Sequence, residues 1–493
     1  MNIKKRYIAI IIVAALCMGA LGSYAGVKLA ESGQTNNEQQ SSQTVEDNTP
    51  SQQEQLESQN NDMPKMAKVL QALETIEQNY LEEVDEQQLI EGAIQGMLDT
   101  LEDPYSVYMD SETVQEFTEQ IESSFEGIGA EVSMREGKVT IIAPIKDSPA
   151  EEAGLKPNDQ ILKVNEESVE GLDLYDAVSK IRGEKGSTVE LEIQRPGVAE
   201  LLSIELVRDE IPLETVYAET VEVDGRKAGI IEITSFSENT ANRFKEELTK
   251  LEKEGIEGLV IDVRGNPGGL LPTVEEILKN FVTEDIPYVQ IEDKEGKKSR
   301  YFSDLSEPKD YPISVLIDEG SASASEILAV SLKEAGDYEV VGRTSFGKGT
   351  VQQTIPMGDG STIKLTLFKW LSPEGNWINE TGVEPTIEVS QPDYFYTNPI
   401  QIEETLTFNE SDPKIANAQI MLKGLDYEPG REDGYFSQET VEAVKQYQAD
   451  NGINATGEID KQTAEKLQTS IIDLIRSGEN DTQKEKALEA LFQ

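Results

Sequence analysis

Residues 313–335 of the chain read ISVLIDEGSASASEILAVSLKEA. The apolar run over residues 313–318 predicts a buried β-strand, because a short continuous run of this kind is typical of a strand covered on both faces. The glycine and small residues that follow predict a tight turn, and helix-forming residues then continue to about Ala335. A buried strand that leads through a turn into a helix is the repeating unit of an α/β fold.

The same alternation of strand and helix precedes this stretch. Residues 229–233 predict a strand, residues 239–253 an amphipathic helix, and residues 258–263 a second continuous apolar strand. Strands that alternate with helices and glycine-rich turns indicate the α/β class. We therefore expect one α/β domain over residues 209–395.

Three serines, Ser321, Ser323 and Ser325, alternate with alanines at the start of the predicted helix. A helix N-terminus presents outward N–H groups and the positive end of its dipole, which favour an alkoxide and a tetrahedral oxyanion. The same pattern is also typical of a serine-rich N-cap with no catalytic role. The spacing does not choose among the three hydroxyls.

A lysine between two glycines lies in TSFGKGTVQ, residues 344–352. Because side chains alternate along a strand, Lys348 and Gln352 are expected on the same face. Burial lowers the pKa of a lysine, and a fall from about 10.4 to about 7 corresponds to roughly 4–5 kcal/mol. A neutral amine can accept a serine proton, with Gln352 orienting it. The alternatives are an exposed turn lysine and a solvated strand glutamine.

The segment DVRGNPGGL, residues 262–270, follows the apolar strand at residues 258–263. Ligands of open α/β sheets usually bind at the carboxyl ends of strands. Gly268 and Gly269 can turn their N–H groups toward a substrate carbonyl, although the same residues are typical of an ordinary tight turn. The segment lacks the Gly-x-x-x-x-Gly-Lys-Ser/Thr spacing of a nucleotide-binding loop.

Composition narrows the chemistry that this chain can perform. No histidine occurs in the 493 residues, and the one cysteine, Cys17, lies in an N-terminal apolar run. These counts exclude a Ser–His–Asp or Cys–His catalytic set, a His-ligated zinc site and an intrachain disulfide. The formal net charge of −51 makes nucleic-acid binding unfavourable, since phosphates are repelled. We expect hydrolysis that needs no metal and no cofactor.

The N-terminal residues have the features of an export segment. Lys4, Lys5 and Arg6 precede an apolar run over residues 7–25, which is long enough to cross a bilayer. Residues 1–30 are therefore predicted to be a retained membrane anchor or a cleaved signal, and the rest of the chain is exported in either case. Residues 31–62 are rich in Gln, Ser, Asn and Glu, which predicts a disordered linker. Residues 63–122 have helical periodicity.

The segments RGNPGG (264–269), EGSASASEI (319–327) and TSFGKGTVQQ (344–353), in this order, resemble the tail-specific, or carboxy-terminal processing, serine proteases. The resemblance implies a serine endopeptidase with a crotonase-like α/β core. It also implies that Ser323 is the nucleophile, Lys348 the base and Gln352 the support of the lysine. The oxyanion hole is implied to come from the N–H groups of Ala324 and of the Gly268-Gly269 turn.

Residues 123–208 resemble a PDZ domain inserted before the protease core. Gly127-Ile128-Gly129 matches the loop whose N–H groups bind a chain terminus, while the peptide adds as a strand to the sheet edge. The resemblance implies substrates with a free, apolar C-terminal tail. Arg182 ends the predicted peptide-binding helix, and we expect it either to couple an occupied PDZ domain to the catalytic strand or to be a surface arginine without that role.

Residues 410–470 resemble a small helical domain of the peptidoglycan-binding type, and residues 471–493 are expected to form a helical tail. Such a domain could bind cell wall or could only scaffold the protein. The helical N-terminal region and the C-terminal tail are predicted contacts of a homodimer.

Two other functions are compatible with parts of the sequence. One is a non-catalytic scaffold, which the intact set of Ser323, Lys348 and Gln352 disfavours. The other is a glycan hydrolase with paired carboxylates, for which Asp262 and Glu326 are candidates. No motif marks these two carboxylates as a pair.

Overall fold

The computed structural model describes residues 52–493 apart from Ser123, Glu136, Lys146, Asp147, Ala199, Gln401 and Glu403, and it describes side chains from Met66 onward apart from that of Tyr175. The chain separates into two compact units at Ile90 and Glu91. The export segment expected at residues 1–30 lies outside the described residues. None of the helices within the described part combines the length and the apolar character that crossing a membrane requires.

Two helices occupy the N-terminal part, α1 (Gln52–Asn79) and α2 (Glu86–Asp99). Helix α1 begins inside the linker expected to be disordered at residues 31–62, because glutamine and glutamate favour helix and neither proline nor glycine interrupts residues 52–62. The helical periodicity predicted for residues 63–122 is present in α1 and α2, and apolar side chains of α1, among them Val69, Leu70 and Ile76, are exposed.

A six-stranded, mostly parallel sheet forms the centre of the α/β domain, as the sequence predicts. Its strands, in spatial order, are β10 (Val216–Val223), β11 (Arg226–Ile233), β12 (Gly258–Asp262), β15 (Ile313–Ile317), β16 (Glu339–Gly342) and β19 (Ile387–Glu388). Only the β10–β11 pair is antiparallel. The helices of this domain are α6 (Thr240–Glu254), α7 (Leu271–Leu278) and α8 (Ala324–Gly336).

Both faces of this sheet are covered, which explains its continuous apolar strands. One face packs with α6, α7 and α8 in a large cluster that includes Phe244, Ile277 and Leu328. The other face packs against the last helix of the chain, α12 (Thr482–Ala490), through Ala487 and Leu491. The expected helical tail therefore completes the core of the α/β domain.

A second sheet of the domain carries the segment that follows Lys348. It consists of β1 (Val107–Met109), β13 (Val289–Glu292), β14 (Lys298–Tyr301), β17 (Thr350–Pro356) and β18 (Thr362–Leu371). Strand β1 pairs with β18, with Val107 opposite Lys364. Helix α3 (Ser111–Glu122) follows β1. This pairing brings residues just before β1 close to the start of β17.

A small β-rich module is inserted between α3 and the central sheet. Its sheet has the order β3 (Ala130–Arg135), β4 (Lys138–Pro144), β5 (Gln160–Val164), β7 (Thr188–Gln194) and β8 (Leu202–Val207), with β6 (Glu167–Ser168) beside β5. Its helices are α4 (Pro149–Glu152) and α5 (Leu174–Ile181). The chain enters and leaves through an antiparallel two-stranded ribbon of β2 (Ser124–Gly127) and β9 (Asp209–Pro212).

The C-terminal helical domain contains a short 3₁₀ helix (Asp393–Tyr396) and the helices α9 (Pro413–Gly424), α10 (Gln438–Asp450) and α11 (Lys461–Ser477). Two fully buried glutamines repeat the same role within it. The amide oxygen of Gln419 accepts from the Gly434 N–H at 3.0 Å, and that of Gln448 accepts from the Gly457 N–H at 2.9 Å. These glutamines therefore stabilise the turns of the domain itself.

Candidate active site

The serine-rich turn between β15 and α8 uses two of its three hydroxyls for packing. Ser321 and Ser325 are fully buried. The Ser321 hydroxyl donates to the Val263 carbonyl, and that of Ser325 donates to the Asn266 carbonyl, each at 2.8 Å. Both serines therefore bind residues 263–266 to the start of the helix, and their hydroxyls are engaged in packing.

Ser323 lies at the N-cap of α8 with an unusual backbone conformation. Its φ of 55° and ψ of −109° are rarely adopted by residues that carry a side chain. Such strain persists only where surrounding contacts over-determine it, and it is frequent at active sites. Ser323 is also half-buried, and it lies at the positive end of the helix dipole.

The glycine-rich turn at residues 264–269 packs directly against Ser323. A Cβ atom on Gly268 would lie 2.6 Å from the Ala322 carbonyl oxygen and 2.9 Å from the Ala324 nitrogen, so only glycine fits there. The Gly268 N–H donates to the side-chain oxygen of buried Asn266 at 2.8 Å. The three residues predicted to form an oxyanion hole, Gly268, Gly269 and Ala324, are thus neighbours in space.

Glu326 connects the serine segment to the lysine segment. Its side chain is fully buried and accepts four hydrogen bonds. Oε2 accepts from the backbone N–H groups of Ser323 and Lys348, each at 2.8 Å, so these two nitrogens lie at most twice 2.8 Å apart. Oε1 accepts from the Ser345 hydroxyl and the Gly347 N–H, each at 2.6 Å. One carboxylate therefore sets the separation of the two predicted catalytic backbones.

The two tryptophans of the chain hold the backbone of the lysine segment from the other side. The indole N–H of Trp370 donates to the Lys348 carbonyl, and that of Trp377 donates to the Gly349 carbonyl, each at 2.8 Å. The Gly349 N–H donates to the side chain of Asn379 at 3.0 Å. The backbone of Lys348 is consequently bound at both its N–H and its carbonyl.

The side chain of Lys348 is mostly removed from water. Burial lowers the pKa of its amine, and the positive charge of Lys364 lowers it further, against the opposing effect of the carboxylates of Asp103 and Glu326. The ammonium nitrogen lies 4.6 Å from the centre of the Tyr105 ring. No hydrogen bond or ion pair joins this nitrogen to a residue within the described part of the chain. In this conformation the amine faces an aromatic ring.

Gln352 does not contact Lys348 through a hydrogen bond in this structure. Its amide donates to the hydroxyls of Thr350 and Thr366, each at 3.0 Å. The register of β17 against β18 shifts between Val351 and Gln352, and such a bulge interrupts the strict alternation of side chains assumed from the sequence. The role of Gln352 as the support of the lysine remains a prediction.

The predicted peptide-binding loop lies where the two-stranded ribbon meets the sheet of the small module. Gly127 ends β2, Ile128 is buried, and Gly129 has a φ of 74°. A Cβ atom on Gly129 would lie 2.4 Å from the Cβ of Ser148, so the turn requires glycine. Strand β3 follows at the edge of its sheet. The loop and a free strand edge are therefore adjacent.

Arg182 forms the C-cap of α5 and reaches out of the module. It pairs with Glu119 of α3 at 2.7 Å, and its guanidinium lies 4.9 Å from the centre of the Phe125 ring. The Arg182 side chain is 43% exposed, so this ion pair is largely hydrated. In this structure Arg182 contacts α3, the helix that precedes the module, and forms no hydrogen bond or ion pair with the described residues of β17, the strand that follows Lys348.

Three contributors to the site were not identified by sequence reasoning, namely the carboxylate that joins the segments, the aromatic ring under the lysine and the tryptophans. Glu326 was considered only as half of a carboxylate pair with Asp262. The structure argues against that pair, because Glu326 binds four protein donors and Asp262 forms an ion pair with Arg264 at 2.6 Å. A glutamate three residues after a serine N-cap was the available signal for Glu326.

Four family models match the chain. They are peptidase family S41 at residues 227–389, a PDZ domain at residues 127–206, a putative peptidoglycan binding domain at residues 411–467, and the N-terminal domain of the activating protease CtpB at residues 16–113. The resemblances inferred from sequence motifs to a protease core, a PDZ domain and a peptidoglycan-binding-type domain are confirmed.

Curated relatives match most of the chain, and two of them come from Bacillus subtilis. The carboxy-terminal processing protease CtpB of Bacillus subtilis is 52% identical over 489 residues, covering 99% of both chains. The carboxy-terminal processing protease CtpA of the same organism is 41% identical over 428 residues, covering 87% of this chain and 90% of the relative. Among solved structures, a photosystem II D1 C-terminal processing protease is 28% identical, with a TM-score of 0.40, and the match covers 65% of this chain and 92% of that one. From the two curated relatives it follows that the chain belongs to the carboxy-terminal processing proteases of peptidase family S41, which are serine-type peptidases.

Proposed function

We propose that this chain is an exported endopeptidase that cleaves proteins captured by their free, apolar C-terminal tails, with Ser323 as nucleophile and Lys348 as general base. The observation that carries this proposal is the shared carboxylate of Glu326, which accepts from the backbone N–H of both residues. A burial-lowered lysine pKa supports the second role, since only a neutral amine can accept a proton.

The reaction follows from these positions. Lys348 takes the Ser323 proton as the hydroxyl attacks the peptide carbonyl, and the protonated amine then donates to the leaving amine. Water hydrolyses the acyl-enzyme with Lys348 again as base. Gln352 orients the amine once it leaves the threonines that it binds here.

The oxyanion is stabilised by backbone N–H groups at the start of α8 and in the glycine-rich turn. Because the Gly268 N–H already donates to Asn266, we favour the N–H groups of Gly269 and Ala324 for this role. Gly268 contributes by allowing the turn to approach Ala324 closely.

Capture of the substrate tail is assigned to the PDZ domain. The N–H groups of Gly127, Ile128 and Gly129 bind the terminal carboxylate, and the tail adds as a strand beside β3, which pairs only with β4 among the described residues. An apolar tail is favoured because Val132 and Met134 of β3 are partly buried apolar side chains that pack against the hydrophobic core of the module.

Arg182 is proposed to couple tail capture to the catalytic strand. Buried Arg208, which lies just before β9, donates to the Ile181 carbonyl at 2.8 Å and to the Lys180 carbonyl at 3.2 Å. The end of α5 is therefore attached to the ribbon that leads into the protease core. A shift of α5 on peptide binding would move Arg182 and the ribbon together.

We further propose that the protein is exported, lies close to the cell wall and forms a homodimer. The cationic and apolar features of residues 1–30 support export with a membrane anchor or a cleaved signal. The match to a putative peptidoglycan binding domain supports proximity to the cell wall. Exposed apolar side chains of α1, such as Val69 and Leu70, support a homodimer formed through the N-terminal helices.

The decisive experiment uses a folded model protein that carries an apolar C-terminal tail. The wild type should cleave it, and Ser323→Ala and Lys348→Ala should each reduce cleavage at least about 1,000-fold, measured by mass spectrometry. Ser299→Ala and Lys297→Ala, at exposed positions of the same domain, are matched controls that should retain full activity. Full cleavage by Ser323→Ala would refute the assignment of the nucleophile and would favour a scaffold function.

A further inference from the structure

Among the described residues, the amine of Lys348 lies close to the ring of Tyr105, with 4.6 Å between the nitrogen and the ring centre. The face of an aromatic ring carries partial negative charge and attracts an ammonium group. A neutral amine gains much less from the same position. The geometry therefore selects for the protonated lysine.

Hydrogen bonds hold the backbone on either side of the Tyr105 ring. Asp103 accepts from the Tyr105 N–H at 3.1 Å and from the Ser106 hydroxyl at 2.6 Å. The Ser106 hydroxyl in turn accepts from the Thr366 N–H of β18 at 3.0 Å. Residues 103–106 are thereby bound to the sheet that follows Lys348, so the ring is part of the protease core.

The backbone of Lys348 cannot easily move away from this ring. Its N–H is bound by Glu326 and its carbonyl by Trp370. A change in the position of the amine must therefore come from rotation of the lysine side chain. Two orientations follow, one over the Tyr105 ring and one directed at Ser323.

We propose that Tyr105 is a positioning residue for Lys348. The ring of Tyr105 binds the ammonium form of Lys348, and the amine must leave this ring before it can accept the proton of Ser323. This inference rests on the proposed role of Lys348 as the general base. Tyr105 thus favours the charged, inactive orientation of the lysine and raises the pH above which the base is available.

The other charged groups around the amine are Asp103 beside Tyr105, Glu326 in α8 and Lys364 in β18. The two carboxylates favour the ammonium form, whereas Lys364 and burial oppose it. Replacement of Tyr105 leaves these groups in place. The effect of the ring on the lysine can therefore be measured separately.

The test compares Tyr105→Leu, which removes the ring, with Tyr105→Phe, which retains the ring face. Loss of the cation–π contact should lower the pKa of Lys348, so the acidic limb of kcat/KM should move down by roughly 0.5 to 1.5 pH units in Tyr105→Leu. In Tyr105→Phe the acidic limb of kcat/KM should lie at the same pH as in the wild type. Phe117→Leu is a matched control, because the Phe117 ring lies 5.1 Å from the amine of Lys364.

A second measurement does not depend on turnover. In a Ser323→Ala background, the pH dependence of amine-reactive labelling of Lys348, followed by peptide mass spectrometry, reports the protonation of the amine directly. The pH midpoint of Lys348 labelling should fall in Tyr105→Leu and should equal that of the parent protein in Tyr105→Phe. Tryptophan fluorescence monitors the integrity of the segment, because both tryptophans bind its carbonyls.

An unchanged or higher labelling midpoint in Tyr105→Leu would overturn the inference, as would lower activity at every pH without a shift of the acidic limb. Failure of the proposed function has a different signature. In that case Lys348→Ala would retain turnover, whereas the labelling midpoint would still respond to the ring.

Discussion

The segment that carries Lys348 and the helix end that carries Arg182 are held in opposite ways. Lys348 is bound through its backbone by a fully buried carboxylate and a fully buried tryptophan. Arg182 is bound through its side chain to a glutamate, in an ion pair whose arginine side chain is 43% exposed. Both are basic residues with proposed roles, Lys348 in catalysis and Arg182 in coupling, but only Lys348 has its backbone bound by buried groups.

The difference indicates that the protease core fixes the spacing of Ser323 and Lys348, whereas the inserted module can move. Removing one partner from a buried network leaves desolvated groups unpaired, whereas an exposed ion pair exchanges readily with water. A module attached by a two-stranded ribbon and a hydrated ion pair can change position at little cost. We therefore expect the module to change position more readily than the backbones of Ser323 and Lys348.

A contact of intermediate burial joins the last helix to the active-site turn. Arg264, at the start of the glycine-rich turn, pairs with Asp481 at 2.8 Å and with Asp262 at 2.6 Å. Asp481 is the N-cap of α12, and its side chain also accepts from the Lys484 N–H at 2.9 Å. These three contacts, at Glu326, Asp481 and Arg182, form a series of decreasing burial.

The largest effect is expected at Glu326. In Glu326→Gln the side-chain NH₂ group must face two donors whichever way the amide turns, so the free energy of unfolding should fall by about 3 kcal/mol. Displacement of the two backbones should lower kcat/KM at least about 100-fold. Urea denaturation and initial rates measure the two effects. Glu334→Gln, on the same helix with one accepted hydrogen bond, should change neither strongly. Wild-type activity in Glu326→Gln would show that the buried carboxylate is not needed to hold Ser323 and Lys348, which would contradict the comparison with Arg182.

A smaller effect is expected at Asp481. Asp481→Asn removes the charge that pairs with Arg264 and should reduce the free energy of unfolding by about 2 kcal/mol, with faster hydrogen exchange in α12. Asp473→Asn, an exposed change in the neighbouring helix α11, is the control. Hydrogen-exchange rates in α12 equal to those of the wild type would contradict the inference that the Asp481–Arg264 ion pair stabilises this helix.

The same pair predicts a pH dependence. Burial raises the pKa of Asp481, but the ion pair with Arg264 outweighs burial, so the net shift is downward. A carboxyl group with a lowered pKa stabilises the fold above its unfolded pKa of about 3.9, and this contribution is lost as the pH falls through the folded pKa. The stability difference between wild type and Asp481→Asn should therefore shrink below about pH 4.

The smallest effect on stability is expected at Arg182. Arg182→Ala should change the free energy of unfolding by less than about 1 kcal/mol, because the ion pair with Glu119 is hydrated. It should nevertheless reduce the preference for tailed over untailed substrates, measured as a ratio of kcat/KM values. Lys180→Ala, which removes an exposed pair inside the module, is the matched control. An unchanged substrate preference in Arg182→Ala would eliminate the proposed coupling.

Much of the fold could be predicted because local patterns specify it. The apolar run at residues 313–318 forms β15, and the small residues after it form the turn into α8. The amphipathic pattern at residues 239–253 forms α6, with Asn239 at its N-cap. The linker at residues 31–62 was harder to assign, since its glutamines and glutamates suit both a disordered chain and the helix that begins at Gln52.

The choice of serine illustrates where local pattern becomes insufficient. Three serines with the same spacing are equivalent in the sequence, and only the resemblance to a family selected Ser323. In the fold, two of them donate to the carbonyls of Val263 and Asn266, at and just before the glycine-rich turn, while Ser323 occupies the strained N-cap. The distinction depends on a turn that lies 58 and 59 residues earlier in the chain.

Residue types and short-range periodicity were sufficient to predict the class of fold, to exclude histidine chemistry and to locate the segments that carry Ser323 and Lys348. Three contacts became visible only in the folded chain: Glu326 binds the Lys348 N–H 22 residues away, Tyr105 lies beside the Lys348 amine, and Asp481 reaches Arg264 over 217 residues. Such contacts form when separate elements pack together and exclude water, and no local pattern specifies which distant groups will then meet.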